Sequence, residues 1–408
     1  MSKLLTKFLP SETAARRLAN KVQLLRPKQA GPTLLVMNRA VLSSDIRAVA
    51  ARSSLNFATV SAAQFEALTA GVVPKADQTQ TFFNPTYWTG PAERREKLKT
   101  ITRAFLDRVN GRIGFDAVVV ANTDYWQDEA VKDACRDMGK RFIVLCRENY
   151  AVPLEQKLLD DRIRQTGFVF EGDAVAVASD ITRDTMLATG AFKPGSVHTI
   201  GWPRFDSWLD APITAPEDRK LITLVAYQEP LYLAPKNFDD VLHAFVAAAK
   251  TSGTPGRFCI KLKKMGHLSA LLKACPALLF SGVKIHTKRP LDELLRQSSV
   301  VIGYNTTGIL EGYLTDCAVI VPWWADAPRT HEDCLVTKDT DLDLATTYFP
   351  ESAEDLKALI GDAFAGKLPP RGTDAERIAQ FQRFIWFDRT ATASARFEAV
   401  VKAALAAE

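Results

Sequence analysis

Three polar clusters in the first half of the chain each follow a short apolar run: Asn38-Arg39, Asn122-Thr123-Asp124 and Arg147-Glu148-Asn149-Tyr150. A carboxylate in such a place could act as general base on an acceptor hydroxyl, or as a nucleophile. Glu148 is the first candidate and Asp124 the second. Each also has a plain reading, Glu148 as half of an ion pair with Arg147 and Asp124 as a helix cap. Arg204 and Asp206, in the segment Gly201-Trp202-Pro203-Arg204-Phe205-Asp206, read either as residues that close an interdomain cleft or as a structural turn with an internal salt bridge.

The second half offers a donor-like set. Tyr304, Asn305, Thr306 and Thr307 follow the apolar run Ser299–Ile302, with Glu311 one turn further on. Free N–H groups and the positive dipole end of a helix starting there suit a phosphate, and Glu311 could accept from ribose hydroxyls. The same residues also read as a plain Asn or Thr cap with Glu311 as its capping-box partner. Lys261 and Lys263, two apart on an extended segment, fall on one side of it and could neutralise a donor phosphate or simply line a solvated edge. Lys288 and Arg289 enlarge that basic region. Trp323-Trp324 could stack on a base or pack in the core. Asp339-Thr340-Asp341 forms a DxD triplet but follows no convincing strand, so it reads as a solvated loop, and no metal site is expected. The five histidines form no ligand set. No GxGxxG, GxSxG or complete P-loop occurs, which disfavours nicotinamide enzymes, serine hydrolases and P-loop ATPases.

These positions need a scaffold that sets strand ends side by side. Thr33–Asn38, Ala117–Ala121, Phe142–Cys146, Ala174–Ala178 and Val197–Ile200 read as buried strands, each feeding a helical stretch or a turn. A Pro- and Asp-rich stretch at 209–220 reads as a linker. Strands then resume at Leu221–Ala226, Arg257–Lys263, Val283–His286, Ser299–Gly303 and Ala318–Val321, followed by amphipathic helices over Glu354–Phe364 and Asp374–Ala407, the latter interrupted near 386–393. Strand–helix alternation in two runs predicts an α/β chain of two doubly wound Rossmann-like domains facing a central cleft, over 31–208 and 221–385, with ligands beyond the carboxyl ends of the strands. A terminal helix is expected over 386–408.

The 408 residues are 47% hydrophobic and 24% charged, as in an ordinary folded protein and unlike a disordered chain. A net charge of +5 is too small to imply nucleic-acid binding. Residues 1–30 are basic and amphipathic, and read either as a leader lying on an anionic membrane or as a helix packed on the domain. Six scattered cysteines read as buried reduced thiols. Without a secretory leader in the first residues, a cytoplasmic location is expected, at the cytoplasmic face of the inner membrane if the basic leader binds lipid.

The segment Ala176–Trp208 (AVASDITRDTMLATGAFKPGSVHTIGWPRFDSW) resembles the V-x-S…G…V-x-x-x-G-x-P-R-x-D stretch of bacterial surface-carbohydrate glycosyltransferases of GT-B type. Pro290–Trp324 resembles their donor-site segment, and Phe387–Val401 is similar to their C-terminal helix, which crosses back onto the first domain. The matches cover the second half well and the first half thinly. The resemblance implies transfer of a sugar from a nucleotide donor to a lipopolysaccharide, lipid-linked or capsule acceptor, as in Kdo transferases, polysialyltransferases and CDP-glycerol glycerophosphotransferases. It implies Asn305, Thr306 and Thr307 on the donor phosphate, Glu311 on the ribose, and no metal or other cofactor. This chain has Lys263-Lys264 where relatives often carry His-Pro. A UDP-sugar 2-epimerase or CDP-glycerol-type phosphotransferase, and a non-catalytic sugar-nucleotide-binding scaffold at the membrane, are the alternatives.

Overall fold

The computed structural model describes residues 11–39, 42–73, 91–210, 218–226, 236–263 and 266–407. They form two compact units. The first comprises Met1–Ala151, Glu155–Leu209 and Ile385–Glu408, and the second Val152–Leu154 and Asp210–Phe384.

The first unit is built on seven strands, β1 (Gln23–Leu24), β2 (Thr33–Asn38), β3 (Asn56–Ser61), β4 (Ala117–Val120), β5 (Arg141–Leu145), β6 (Ala174–Val177) and β7 (Val197–Thr199), in the order β1-β3-β2-β4-β5-β6-β7. All pairings are parallel except that of β1 with β3. Side chains alternate between the faces, as a pleated strand requires. Leu35 and Met37 join Phe105, Val109 and Val131 on one side, and Leu34 and Val36 join Ile46, Val49, Phe397 and Val401 on the other. Buried on both faces, β2, β4, β5 and β6 are nearly continuous apolar runs, which makes them legible in the sequence.

The second face of this sheet is covered partly by the last helix, Ala393–Ala406. Each of Phe397, Val400 and Val401 contributes about 1.5–3 kcal/mol by burial. That helix is anchored by Asp206, whose carboxylate accepts from the backbone N–H of Ala393 at 2.8 Å and Ser394 at 2.9 Å. Gly201 has φ +83°, and a Cβ there would lie 2.5 Å from the Trp386 carbonyl oxygen. Only glycine both adopts that conformation freely and admits the chain this closely.

The basic leader differs from its membrane reading from Ser11 onward. Ser11–Ala19 is a helix whose Ala15, Leu18 and Ala19, with Val22 beyond it, are buried in the first unit's core alongside Ile101 and Phe105 of the helix Ala92–Ile113. Its apolar face is therefore already covered. Lys3, Leu4, Leu5, Lys7, Phe8 and Leu9 lie outside the described residues.

The second unit has five parallel strands, β8 (Leu221–Ala226), β9 (Phe258–Leu262), β10 (Lys284–His286), β11 (Ser298–Ile302) and β12 (Ala318–Ile320), ordered β10-β9-β8-β11-β12. The helices Phe238–Thr251 and Ala353–Phe364 pack on the face made by Ile222, Leu224, Ile260, Val300 and Ile302. On the other face, Gly308 and Gly312 let the chain after β11 settle closely: a Cβ would meet Leu291 at 2.9 Å or Val301 at 2.6 Å. Both units are doubly wound and Rossmann-like, and two such units with the final helix returned to the first are the make-up of the GT-B fold. The segment expected to link them falls mostly outside the described residues. At its end Arg219 is buried and pairs with Asp316 at 2.9 Å.

Candidate functional site

In an open parallel sheet the ligand site lies beyond the carboxyl ends of the strands, where the strand order reverses. In the first unit that point falls between β2 and β4, because β3 lies to one side of β2 and β4 to the other. The residues emerging there are Asn38-Arg39 and Asn122-Thr123-Asp124. Asn38 ends β2 by backbone pairing with Ser61, and its side chain is outside the described set.

Asp124 is buried, and loss of hydration pushes its carboxyl up to about 7, against the opposing pull of Arg162 and of the Thr123 hydroxyl, which donates to it at 3.3 Å. The charge of Glu148 raises it further, so the structure brings the two sequence candidates within electrostatic reach of each other. Glu148 itself is half-buried, beyond the end of β5. Asp128, on the helix Trp126–Asp137, is raised to about 6 by burial against the attraction of Arg39, whose guanidinium stands 3.9 Å away. Arg39 also pairs with Glu66 at 2.7 Å and lies over the Tyr125 ring. Glu129 is pushed up to about 8 by the same desolvation, in spite of Lys132 at 2.5 Å.

Several polar atoms here are buried and have no hydrogen-bond partner among the described residues: Asn122 Oδ1, Trp126 Nε1 and Gln127 Oε1, while Asp128 Oδ2 and Arg39 Nη2 meet only each other, at 3.9 Å. Buried polar groups are normally paired, and a concentration of unpaired ones at a strand switch point marks a place suited to a polar ligand. Donors and acceptors both occur, which fits a molecule rich in hydroxyl groups.

Other expected residues are committed to structure. Arg147 and Arg204 both reach Asp45, each guanidinium 3.3 Å from the carboxylate of that fully buried residue. Burial outweighs the pull of Arg147 and lifts Asp45 to about 7. Trp202 packs against the same pair, with Arg204 4.0 Å from its ring centre. The Gly201–Asp206 segment is thus an anchor, and Asp206 caps the last helix. Asn149 accepts from Ser179 and Thr182 and ties the loop after β5 to the helix Asp180–Ala188.

In the second unit the switch point lies between β8 and β11. Tyr304 is buried and donates its hydroxyl to Asn237 Oδ1 at 2.9 Å. Asn305 uses both ends of its amide on the chain at 333–335, donating to the Asp333 carbonyl at 2.9 Å and accepting from the Leu335 N–H at 3.0 Å. Thr306 caps the short helix Thr307–Leu310, its hydroxyl accepting from Gly308 N. These three act as loop and cap residues, the plain alternative. Thr307 opens that helix, half-buried. Lys261, half-buried on β9, donates to the Thr287 carbonyl at 3.0 Å. Burial lowers its pKa, and Glu311 lies close enough to oppose that shift. Lys261 and Glu311 therefore form a charged pair of sites at the carboxyl end of this sheet, with exposed Lys263 beyond β9.

Two further sequence features take their places in this unit. Asp339 and Asp341 of the triplet are exposed, as a solvated stretch requires, but Thr340 caps the helix Asp341–Thr346, and Asp343 further on is fully buried with Arg383 at 2.9 Å. Trp323 packs edge-on against Phe349, with ring centres 5.4 Å apart, and Trp324 packs on the core. Among the described residues, no group of three or more His, Cys, Asp or Glu is placed to hold a metal ion, and no helix is long and apolar enough to cross a membrane.

No protein-family model matches the chain, and no curated protein does. Solved structures with a similar course include E. coli trehalose-6-phosphate synthase bound with UDP-2-fluoro glucose, at 11% identity over 93% of this chain and 100% of that chain, TM-score 0.45. Another is the S. aureus MnaA–UDP co-structure, at 14% identity over 92% and 97%, TM-score 0.48. A third is the glycotransferase of kitacinnamycin, at 13% identity over 92% and 98%, TM-score 0.44. The strand orders of the two sheets carry the fold.

Sequence reading missed Asp45, Arg162 and the acids of the helix Trp126–Asp137. A signal for the last was present: Asp124, Asp128 and Glu129 follow a strand within one short stretch, and Asp124 and Asp128 are spaced by a helical turn.

Proposed function

We propose that the chain is a nucleotide-sugar-dependent glycosyltransferase, with the activated donor held by the second unit and the acceptor hydroxyl activated in the first. The observation that carries this reading is Asp124, a buried carboxyl held near 7 at the strand switch point, beside Glu148 and amid unpaired polar atoms suited to a polyol. Asp124 in its ionised form accepts the proton of the acceptor hydroxyl as the oxygen attacks the anomeric carbon. The bond from that carbon to the donor phosphate breaks, and Lys261 offsets the negative charge left on the nucleotide, while Glu311 receives the ribose hydroxyls. Burial holds the Asp124 carboxyl near 7, and the charge of Glu148 adds to that lift. The resemblance of Ala176–Trp208 and Pro290–Trp324 to surface-carbohydrate transferases supports a lipopolysaccharide, lipid-linked or capsule acceptor, with CMP-Kdo among the donors to test.

The test is a thermal-shift panel of CMP, CDP, UDP, GDP and ADP, followed by product analysis with the nucleotide sugar that scores. A ligand at 100-fold its Kd adds about 2.7 kcal/mol of stability, readily seen. A selective nucleotide response with sugar transferred to an added acceptor supports the reading. Conversion of a UDP-sugar to its epimer without acceptor would establish the epimerase instead, and silence across the panel would remove the donor site.

A further inference from the structure

We propose that the amino-terminal end of the second sheet, at its β9–β10 edge, is a docking surface for an anionic lipid bilayer. The sequence between Asp240 and Asp292 contains no Asp or Glu, yet it carries nine Lys or Arg. Chain direction sorts these charges. Helices between parallel strands run back against them, so the last turns of Phe238–Thr251 and His267–Ala274 deliver exposed Lys250 and Lys273 to the end of the sheet opposite the ligand site. Exposed Lys284 opens β10 at the same end, and exposed Lys220 precedes β8. Arg257 donates to the Lys220 carbonyl and lies over the Phe364 ring there. Asp218 before β8, Asp316 before β12, which pairs with Arg219, and Asp362, on the helix packed alongside, are the acids on this side among the described residues, with Lys367 next to Asp362 in the fold.

From the middle of this basic rim two large apolar side chains project. Leu279 is 63% exposed and Phe280 85%, the latter the most exposed large hydrophobic residue described. Their posture is fixed. Leu278 and Cys275 are buried in the core, the Ser281 N–H and hydroxyl both bond the Leu278 carbonyl, and Ser281 Oγ accepts from Val283 N. Gly282, at φ +74°, turns the chain against Pro255, where a Cβ would meet the proline ring at 2.8 Å. Phe280 is therefore held outward by a braced turn.

A protein partner needs some 20–30 residues a side, with an apolar centre, and two side chains do not supply that. A bilayer surface needs only an apolar wedge to enter the headgroup region and lysines to meet anionic lipid, each lysine near the surface strengthening binding several-fold. This surface is distinct from the amphipathic leader and does not depend on the proposed catalytic reading.

The test is co-sedimentation of the full chain with vesicles of phosphatidylcholine alone and with about one-third phosphatidylglycerol. The unaltered chain is expected to pellet with the anionic vesicles only. Replacing Leu279 and Phe280 together by Ser is expected to weaken binding about tenfold or more, and replacing Lys273 and Lys284 by Ala about fivefold per lysine. A chain with Lys3 and Lys7 changed to Glu is expected to bind as the unaltered one does. A Phe280→Trp variant gives an independent reading, since its emission should shift to the blue on anionic vesicles. The proposal is overturned if the unaltered chain stays in solution, binds neutral vesicles equally or loses binding only through the leader, or if the emission of the Phe280→Trp variant does not respond.

Discussion

The carboxyl ends of the two sheets carry similar polar residues but use them differently. In the first unit, Asp124 and Asp128 are buried with their ionisation displaced and part of their surroundings unpaired. In the second, Tyr304, Asn305 and Thr306 are committed to holding loops, and Lys261 and Glu311 lie within electrostatic reach of each other at the carboxyl end of the sheet. Displaced ionisation is what proton transfer needs, whereas a preformed loop with a cation beside it is what binding needs. A polar residue at a strand end is thus informative only when its bonding is known.

The difference breaks most sharply at Asp124. Asp124→Asn is expected to lower kcat by roughly 100- to 10,000-fold while the nucleotide thermal shift survives. In the unaltered chain the rate should climb as pH rises through about 7, since only the ionised carboxyl acts as base. A flat profile across that range, or a variant with full turnover, would transfer the role to Glu148. The same carboxyl binds its proton more tightly folded than unfolded, so it adds stability in acid that fades as pH rises from the ordinary carboxylate range through 7. Asp124→Asn should flatten that decline in an unfolding series.

Asp206→Ala separates anchoring from chemistry. It leaves two buried N–H groups of the last helix unmet, and denaturant unfolding should show a loss of about 2–4 kcal/mol. Unchanged stability would return Asp206 to the candidate site. Lys261→Met sharpens the second unit's side of the contrast. About tenfold weaker nucleotide binding is expected, in line with loss of one half-buried cation from a phosphate; equal affinity would show that the donor lies elsewhere. The smallest effect concerns Ala325, at φ +56° in the turn whose Asp326 holds Lys236 and Asn237. Ala325→Gly should raise stability by about 1 kcal/mol with no change in nucleotide binding.

Much of the scaffold was legible because strands buried on both faces leave continuous apolar runs: Thr33–Asn38 and Leu221–Ala226 match β2 and β8 end for end. β3 was missed because NFATVS mixes Asn, Thr and Ser into the run, and the polar atoms of Asn56 are satisfied only by backbone groups at 29–32. The helix Ala92–Ile113 did carry the signal, with Leu98, Ile101, Phe105 and Val109 on one stripe amid many charges. The site was half legible. Sequence placed Asp124 and Glu148 at strand ends, but the displaced carboxyl depends on burial that no local pattern encodes. Nor does spacing reveal whether Asn305 faces a ligand or the chain at 333–335.

The return of the last helix sets a schedule for the making of the protein. Phe397, Val400 and Val401 cover a face whose strands β2 to β6 are complete more than two hundred residues earlier in synthesis. While the second unit is being translated, Leu34, Val36, Phe57 and Ile143 wait beside Asp206 for a partner that has not yet left the ribosome. The second unit, continuous from Asp210 to Phe384 apart from Val152–Leu154, has no such wait. The first domain begun is therefore the last one finished, and a ribosome that stalls or terminates before residue 393 releases a chain with an uncovered apolar sheet, a natural target for chaperones and proteases.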